Sequence, residues 1–396
     1  MVKVCLISPT FYPATFYGGP IYSSYFLARE IAGKGTHIEV LTTNANGKVN
    51  LDSTSVAQEI LPNLFVNYYQ ETRKDKLSLQ LLKSLPAKIK SCDLVFLQYV
   101  FSYTTPFTLF WAKVFHKPVI LSPRGSLAGW ALAQGSRFKK LWLRWFVRPY
   151  LKNIVFHVTS PEEKQETLAS FPSAQVAVIP NGIDVESLAH PTALSKEAFA
   201  SRFFHKKLKP SHIIVSLSRL HVKKGFDILI DAFKKVLETY PEAILLVAGQ
   251  DFGIKQQLED QIKRLHLQGS VCLVGELKGQ DKVDFLANAD LFALPSHNEN
   301  FGLVYGEALA AGTPIVASLN TPWTEAEQLG FGLRVDNTPD ATAAAILQII
   351  GSDPQKMGEV GKAYISAHFS WKSVGEKFMH LLTTLVQQQE SGIVKN

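Results

Sequence analysis

Short apolar runs rich in β-branched residues recur along this chain, each followed by a stretch of helical periodicity. The first block holds VCLIS (4–8), IEVLT (38–42), DLVFLQY (93–99), PVILS (118–122), IVFHVT (154–159) and VAVIP (176–180). The second holds HIIVSLS (212–218), ILLVAG (244–249), VCLVG (271–275), LFALP (291–295) and PIVAS (314–318). Between the first two runs, Tyr25, Leu27, Ala28, Ile31 and Ala32 fall at helical spacing, ended by Gly33 or Gly35. Strands that are apolar without alternation are buried on both faces, which requires parallel sheets covered by helices. Two such blocks predict an α/β chain of two doubly wound, Rossmann-like domains facing across a cleft. The polar, proline-bearing stretch 187–211 marks the break, giving domains over 1–190 and 205–371. The helical pattern of 372–396 is expected to pack back on the first domain.

At 396 residues, two domains are the default. Hydrophobic residues make up 46% and charged residues 19%, the balance of a packed protein. No apolar run is long enough to span a bilayer, and no secretory leader is read at the start. Cys5, Cys92 and Cys272 lack metal or redox spacing and read as core residues of a reduced, cytoplasmic protein. Charge is uneven: residues 1–190 hold 20 Lys/Arg against 12 Asp/Glu, or +8, within a net +7 for the whole chain. An anionic partner for the first half follows, whether phosphorylated acceptor, membrane surface or nucleic acid.

The densest local signal is LPSHNENFGLVYGEALAAGTPIVAS (294–318). A strand ends at Pro295-Ser296, Gly302 precedes a helical run, and Glu299 and Glu307 lie on either side of that junction. Ligands of open α/β sheets bind beyond the carboxyl ends of strands, where helices begin. Free amides from Phe301 to Val304 and the helix dipole suit an anion. Gly302 permits close approach of backbone to ligand. Two acids beside an anion make sense if they accept hydrogen bonds from hydroxyls. A nucleotide-sugar supplies these, with a ribose on one side of its diphosphate and a sugar on the other. The same acids also suit a plain helix start, as dipole complements.

This stretch resembles the signature of retaining nucleotide-sugar glycosyltransferases of family 4, which have the GT-B fold. The shared pattern is Pro-Ser, a glutamate, Phe-Gly, a second glutamate after seven intervening residues, and Ala-x-Gly-x-Pro. FYPATFYGGP resembles the family's glycine-rich first loop, and PNGID (180–184) its interdomain segment. LSRLHVKKGFDILIDAF (217–233) resembles the phosphate-binding start of its second domain; LLVAGQD, VCLVGEL and a late Phe-Ser-Trp follow in family order.

The resemblance implies that Glu307 accepts the ribose hydroxyls and Glu299 those of the transferred sugar, beside the amides of Asn300, Phe301, Gly302 and Leu303. Arg219 and Lys224 match the diphosphate-binding pair, where fixed cations stabilise the charge of the leaving group. Lys223 reads as a solvated lysine. Gly18 and Gly19 would let the first loop approach diphosphate or acceptor, and an ordinary tight turn is the plainer account. The base is expected against Glu276 and Leu277. With no Asp-x-Asp motif, neither metal nor other cofactor is expected, the nucleotide-sugar being the donor substrate.

One position departs from the family pattern. In SPRGSL, Arg124 stands where many relatives carry a histidine. A guanidinium stays protonated and cannot serve as a base, so Arg124 is assigned donor or acceptor contact. SPEE (160–163) reads as a capping box, and His157 as a satisfied core histidine.

Residues 135–153, GSRFKKLWLRWFVRPYLKN, carry Arg137, Lys139, Lys140, Arg144, Arg148 and Lys152 without an acid, interleaved with Trp142, Trp145, Phe146 and Tyr150. Such a segment can lie on an anionic membrane at the inner face of the cell. Equally, its aromatics can enter the core while its cations stay solvated. No nucleic-acid module accompanies it, so no nucleic-acid partner is expected.

The leading expectation is a retaining glycosyltransferase. It moves a hexose from a UDP-sugar, UDP-glucose before GDP-mannose, to a saccharide or lipid-linked saccharide in polysaccharide or cell-surface glycan synthesis. The alternative is a catalytically silent nucleotide- or saccharide-binding protein on the same fold. A nicotinamide-dependent dehydrogenase is disfavoured because no strand leads into GxGxxG.

Overall fold

Every apolar run named above forms a strand, and three further strands form where none was read. The computed structural model describes residues 1–53, 56–73, 75–133, 136–204, 208–299 and 301–391. The chain divides into two units, Met1–Gly182 with Trp371–Asn396, and Ile183–Ser370.

The first unit contains β1 (Lys3–Ile7), β2 (His37–Thr43), β3 (Gln58–Leu61), β4 (Leu64–Tyr69), β5 (Leu94–Gln98), β6 (Val119–Ser122), β7 (Ile154–Val158) and β8 (Gln175–Val178). Their order is β3-β4-β2-β1-β5-β6-β7-β8, parallel except for the β3–β4 pair. That hairpin turns at Asn63, whose φ is 65°. It escaped the sequence reading because QEILPNLFVNYY (58–69) mixes polar and apolar residues, as an edge hairpin tolerates. Both faces of the sheet are covered. Val4 and Leu6 point into one cluster, Cys5 and Ile7 into the other. The helix Trp371–Glu390 completes the first cluster, placing the Phe378 ring 4.9 Å from Phe96 and 5.1 Å from His157.

The second unit contains β9 (Ile213–Leu217), β10 (Ile244–Ala248), β11 (Val271–Gly275), β12 (Leu291–Leu294), β13 (Ile315–Ser318) and β14 (Gly332–Val335), in the parallel order β11-β10-β9-β12-β13-β14. The chain leaves β9 towards β10 on one side and later returns to β12 on the other. The switch point, where a crevice opens at the carboxyl ends, therefore lies between β9 and β12.

The expected break at 187–211 is corrected by the structure. Ile183 already belongs to the second unit, its N–H donating to Phe369 O at 2.7 Å. Leu188, Phe199, Ala200 and Phe204 are buried in the second core. The polar residues of this stretch serve as caps and outward faces: Ser195 caps the short helix Lys196–Ser201, and Asp284 accepts from Thr192 N at 2.7 Å.

Candidate active site

The loops that leave β9 and β12 are joined to each other at the switch point. After β9 comes Arg219, then a tight turn over Val222–Lys224, then Gly225 in the left-handed region at φ 67°. Gly225 starts the helix Phe226–Thr239. An added Cβ there would lie 2.2 Å from Pro295 O, so only glycine lets the two loops meet. His297 N donates to Lys223 O at 2.8 Å. The Lys224 ammonium pairs with Glu299 Oε1, and both side chains are largely buried, at 16% and 11% exposure. Ser296 Oγ donates to the same oxygen at 3.1 Å. The catalytic cation and the sugar-binding acid expected from sequence thus hold each other in place. Lys223 is corrected: it is half-buried, and burial first, then Lys224 and Arg219, lowers its pKa. Three cations share this end of β9.

The helix Leu303–Ala310 begins at Gly302, itself left-handed at φ 70°. A Cβ on Gly302 would lie 2.6 Å from the Tyr305 ring and 3.6 Å from Glu299 Cγ. Phe301 is buried, and its carbonyl accepts from Trp323 Nε1 at 3.0 Å. Buried Tyr305 donates to Leu294 O at 2.6 Å, and burial, then Glu299, pushes its pKa well up. These contacts orient the helix start, with Leu303 and Val304 half-buried in its first turn. Asn300 lies outside the described residues. Glu307 stands in this helix and pairs with Lys282, Nζ to Oε1 2.7 Å, from the helix Gly279–Ala287.

Lys282, Gly225, Ser296 and Trp323 were missed from sequence. A glycine directly after KK, before a helix, was the available signal for Gly225; Lys282 had none. Arg219 is exposed, its guanidinium 5.1 Å from the Phe252 ring centroid. Among the described residues no carboxylate is within ion-pair distance of it. Glu276 and Leu277 follow β11, the edge strand; Glu276 pairs with Lys278 at 3.0 Å and Leu277 is half-buried. Among the described residues no group of three or more His, Cys, Asp or Glu is arranged to hold a metal ion.

Gly18, Gly19 and Arg124 belong to the first unit. Gly18 has φ 77° and ψ −148°, a conformation open to glycine, and precedes the helix Gly19–Gly33. That helix brings Ser23 and Ser24 to Arg124. Arg124 Nη1 donates to Ser23 Oγ at 3.2 Å and Asn181 Oδ1 at 3.1 Å, Nη2 to Ser24 Oγ at 3.2 Å, and Nε to Gln98 Oε1 at 2.8 Å. Four of its five N–H groups are therefore engaged by the protein. Burial lowers its pKa. Behind it, His157 Nε2 donates to Ile179 O at 2.9 Å, which leaves Nδ1 to accept from Ser122 Oγ at 2.7 Å. The ring is neutral, its pKa lowered to about 3 by burial and then by Arg124.

Two doubly wound units, with a switch point lined by paired acids and cations in the second, define a glycosyltransferase of the GT-B class. The chain belongs to glycosyltransferase family 4. Residues 17–187 match the family described as Glycosyltransferase Family 4, and residues 198–364 that described as Glycosyl transferases group 1. A GDP-mannose-dependent monoacylated alpha-(1-6)-phosphatidylinositol monomannoside mannosyltransferase of Corynebacterium glutamicum is 30% identical over 67% of this chain and 69% of its own. An alpha-monoglucosyldiacylglycerol synthase of Streptococcus pneumoniae is 27% identical over 48% of this chain and 43% of its own. Among solved structures, Anabaena HepE in complex with UDP and glucose superposes with a TM-score of 0.74 at 18% identity, covering 97% of this chain and all of that one (100%). Sucrose-phosphate synthase of Thermosynechococcus elongatus gives 0.72 at 20%, covering 98% and 100%.

Proposed function

We propose that the second unit binds a nucleotide-sugar at the β9–β12 switch point and that the chain transfers its hexose, with retention, to a saccharide or lipid-linked saccharide in polysaccharide or cell-surface glycan synthesis. The observation that carries this reading is the pair of acid–cation contacts at one sheet edge, Lys224–Glu299 and Lys282–Glu307. Each acid keeps an oxygen for a hydroxyl while its cation offsets the cost of placing a carboxylate near a diphosphate. Arg219 and Lys224 are assigned to the diphosphate, whose charge grows as it leaves. Glu307 is assigned to the ribose, Glu299 to the sugar, Glu276 and Leu277 to the base, and Gly18 and Gly19 to the diphosphate or acceptor. We assign metal-independent transfer, the cations and the two helix starts supplying the charge.

The donor is proposed to be a UDP-sugar, UDP-glucose ahead of GDP-mannose. HepE with UDP and glucose supports that order, and the mannosyltransferase named for GDP-mannose opposes it. Relatives whose names contain phosphatidylinositol monomannoside and monoglucosyldiacylglycerol support a lipid-linked acceptor. Melting the protein with UDP, GDP, UDP-glucose and GDP-mannose is the test. A shift with GDP ligands only overturns the uridine assignment; no shift with any of the four, together with no donor hydrolysis, overturns the donor site.

A further inference from the structure

Between Asp93 and Glu162 the chain contains no acidic residue, yet it holds nine Lys and Arg. That segment alone carries +9 of a chain whose net charge is +7. It includes the helix Thr104–Val114 and the continuous turns Ser136–Trp142, Leu143–Val147 and Arg148–Asn153, the last two of which pack against that helix. Both elements leave large apolar side chains in solvent. Phe107, Phe110 and Val114 are exposed at i, i+3, i+7 on the first; Phe138, Leu141 and Trp145 repeat that spacing on the second. Phe138 and Trp145 are 68% and 65% exposed.

Contacts from beneath brace this surface. Trp142 Nε1 donates to Val100 O at 2.9 Å, and Leu143 and Val147 are buried beneath it. The Trp142 ring then supports Phe138 and Phe146, at centroid distances of 6.0 and 4.8 Å. Lys113 lies 5.6 Å from the centroid of the Tyr150 ring and so ties the two elements together. Arg137, Lys140, Arg144 and Arg148 are exposed around the apolar residues.

We propose that this surface of the first unit docks peripherally on an anionic lipid bilayer, its cations at the headgroups and its aromatic and aliphatic side chains in the acyl boundary. A second copy would bring like charges together, which opposes self-association. Nucleic acid would satisfy the cations, yet Val114 and Leu141 have no π face for a base to stack on. Among the described residues no helix is long and apolar enough to cross a membrane, so the contact is peripheral. The inference concerns the first unit and holds whichever donor the second unit takes.

Flotation of the full chain with vesicles tests it. Phosphatidylcholine containing about one-third phosphatidylglycerol should carry the protein upward at about 0.1 M salt and much less at about 0.5 M, and pure phosphatidylcholine should carry little. Trp145 emission should shift to the blue on the anionic vesicles, and Trp145→Phe should remove that shift. The double variant Phe138→Ser, Trp145→Ser should lower partitioning about tenfold or more. Phe107→Ser, Phe110→Ser should do likewise, either double variant losing only a little melting temperature because about half or more of each side chain is in solvent. No flotation of the wild type with anionic vesicles overturns the proposal. So does retention by both double variants, dimerisation abolished by the same changes, or binding to a single-stranded oligonucleotide in place of vesicles.

Discussion

Lys282 Nζ lies 2.7 Å from Glu307 Oε1, joining two helices that start at the carboxyl edge of the second sheet. The contact occupies one oxygen of the acid assigned to the ribose and leaves the other clear of any ion pair among the described residues. Glu307→Ala should weaken binding of the free nucleoside diphosphate by roughly 2–4 kcal/mol, from two hydrogen bonds to a charged group. Lys282→Met should cost less, about 0.5–1.5 kcal/mol, because Glu307 remains but is no longer fixed. Lys282→Arg should restore most of it. Calorimetry measures all three; equal affinity of wild type and Glu307→Ala removes the ribose assignment.

Glu299 and Lys224 hold each other, so their substitutions should not be additive. Glu299→Ala should change affinity for the bare nucleoside diphosphate, through Lys224, far less than it changes turnover, which should fall on the order of a hundredfold because the sugar loses its orienting acid. Lys224→Ala and Arg219→Ala should each lower turnover more than they raise the donor Michaelis constant. A Glu299→Ala enzyme that melts slightly early but turns over normally would show an acid serving only the helix dipole.

Gly225→Ala tests the joint between the loops. The substitution meets a left-handed backbone, costing roughly 1–2 kcal/mol, and adds a Cβ 2.2 Å from Pro295 O. Gly253, at φ +99° with nothing within 4 Å of its added Cβ, is the control for backbone strain alone. Gly225→Ala should lose more stability than Gly253→Ala and should also lose nucleotide affinity. Equal losses of both in the two variants would mean the loops need not touch.

Acid should destabilise the first unit through His157. Its pKa is near 3 folded against 6.5 for a free imidazole, so the unfolded chain binds the extra proton between those values. The stability it contributes is full above pH 6.5 and falls as pH drops towards 3, by at most about 1.4 kcal/mol per pH unit. His157→Gln should flatten that limb in urea titrations between pH 6.5 and 4. An unchanged slope would place the acid sensitivity elsewhere.

Chelation separates metal-assisted from metal-free transfer. EDTA should leave turnover unchanged, because Arg219, Lys224 and the helix starts are assigned the charge of the leaving diphosphate. Activity lost in EDTA and restored by manganese would overturn the assignment.

Periodicity determined the two blocks of parallel strands, and local chemistry determined the helix starts: Ser160 accepts from Glu163 N, as SPEE reads, and Gly302 takes the left-handed turn before Leu303. The GT-B resemblance was legible for the same reason, since its signature runs through one strand–loop–helix junction. What tertiary structure alone decided are contacts between positions far apart in the chain. Lys224 meets Glu299 across 75 residues because β9 lies beside β12, an order that no local pattern states. Lys282 reaches Glu307 from a neighbouring helix that shares no motif with it. Arg124, legible as a departure at one site, became a buried knot because the helix Gly19–Gly33 delivers Ser23 and Ser24 to it. Trp142 and Trp145, three residues apart, took opposite fates, one hydrogen-bonded to Val100 and one in solvent. Composition makes both plausible core residues; the fold, which sets Val100 beside Trp142, decided which one was covered.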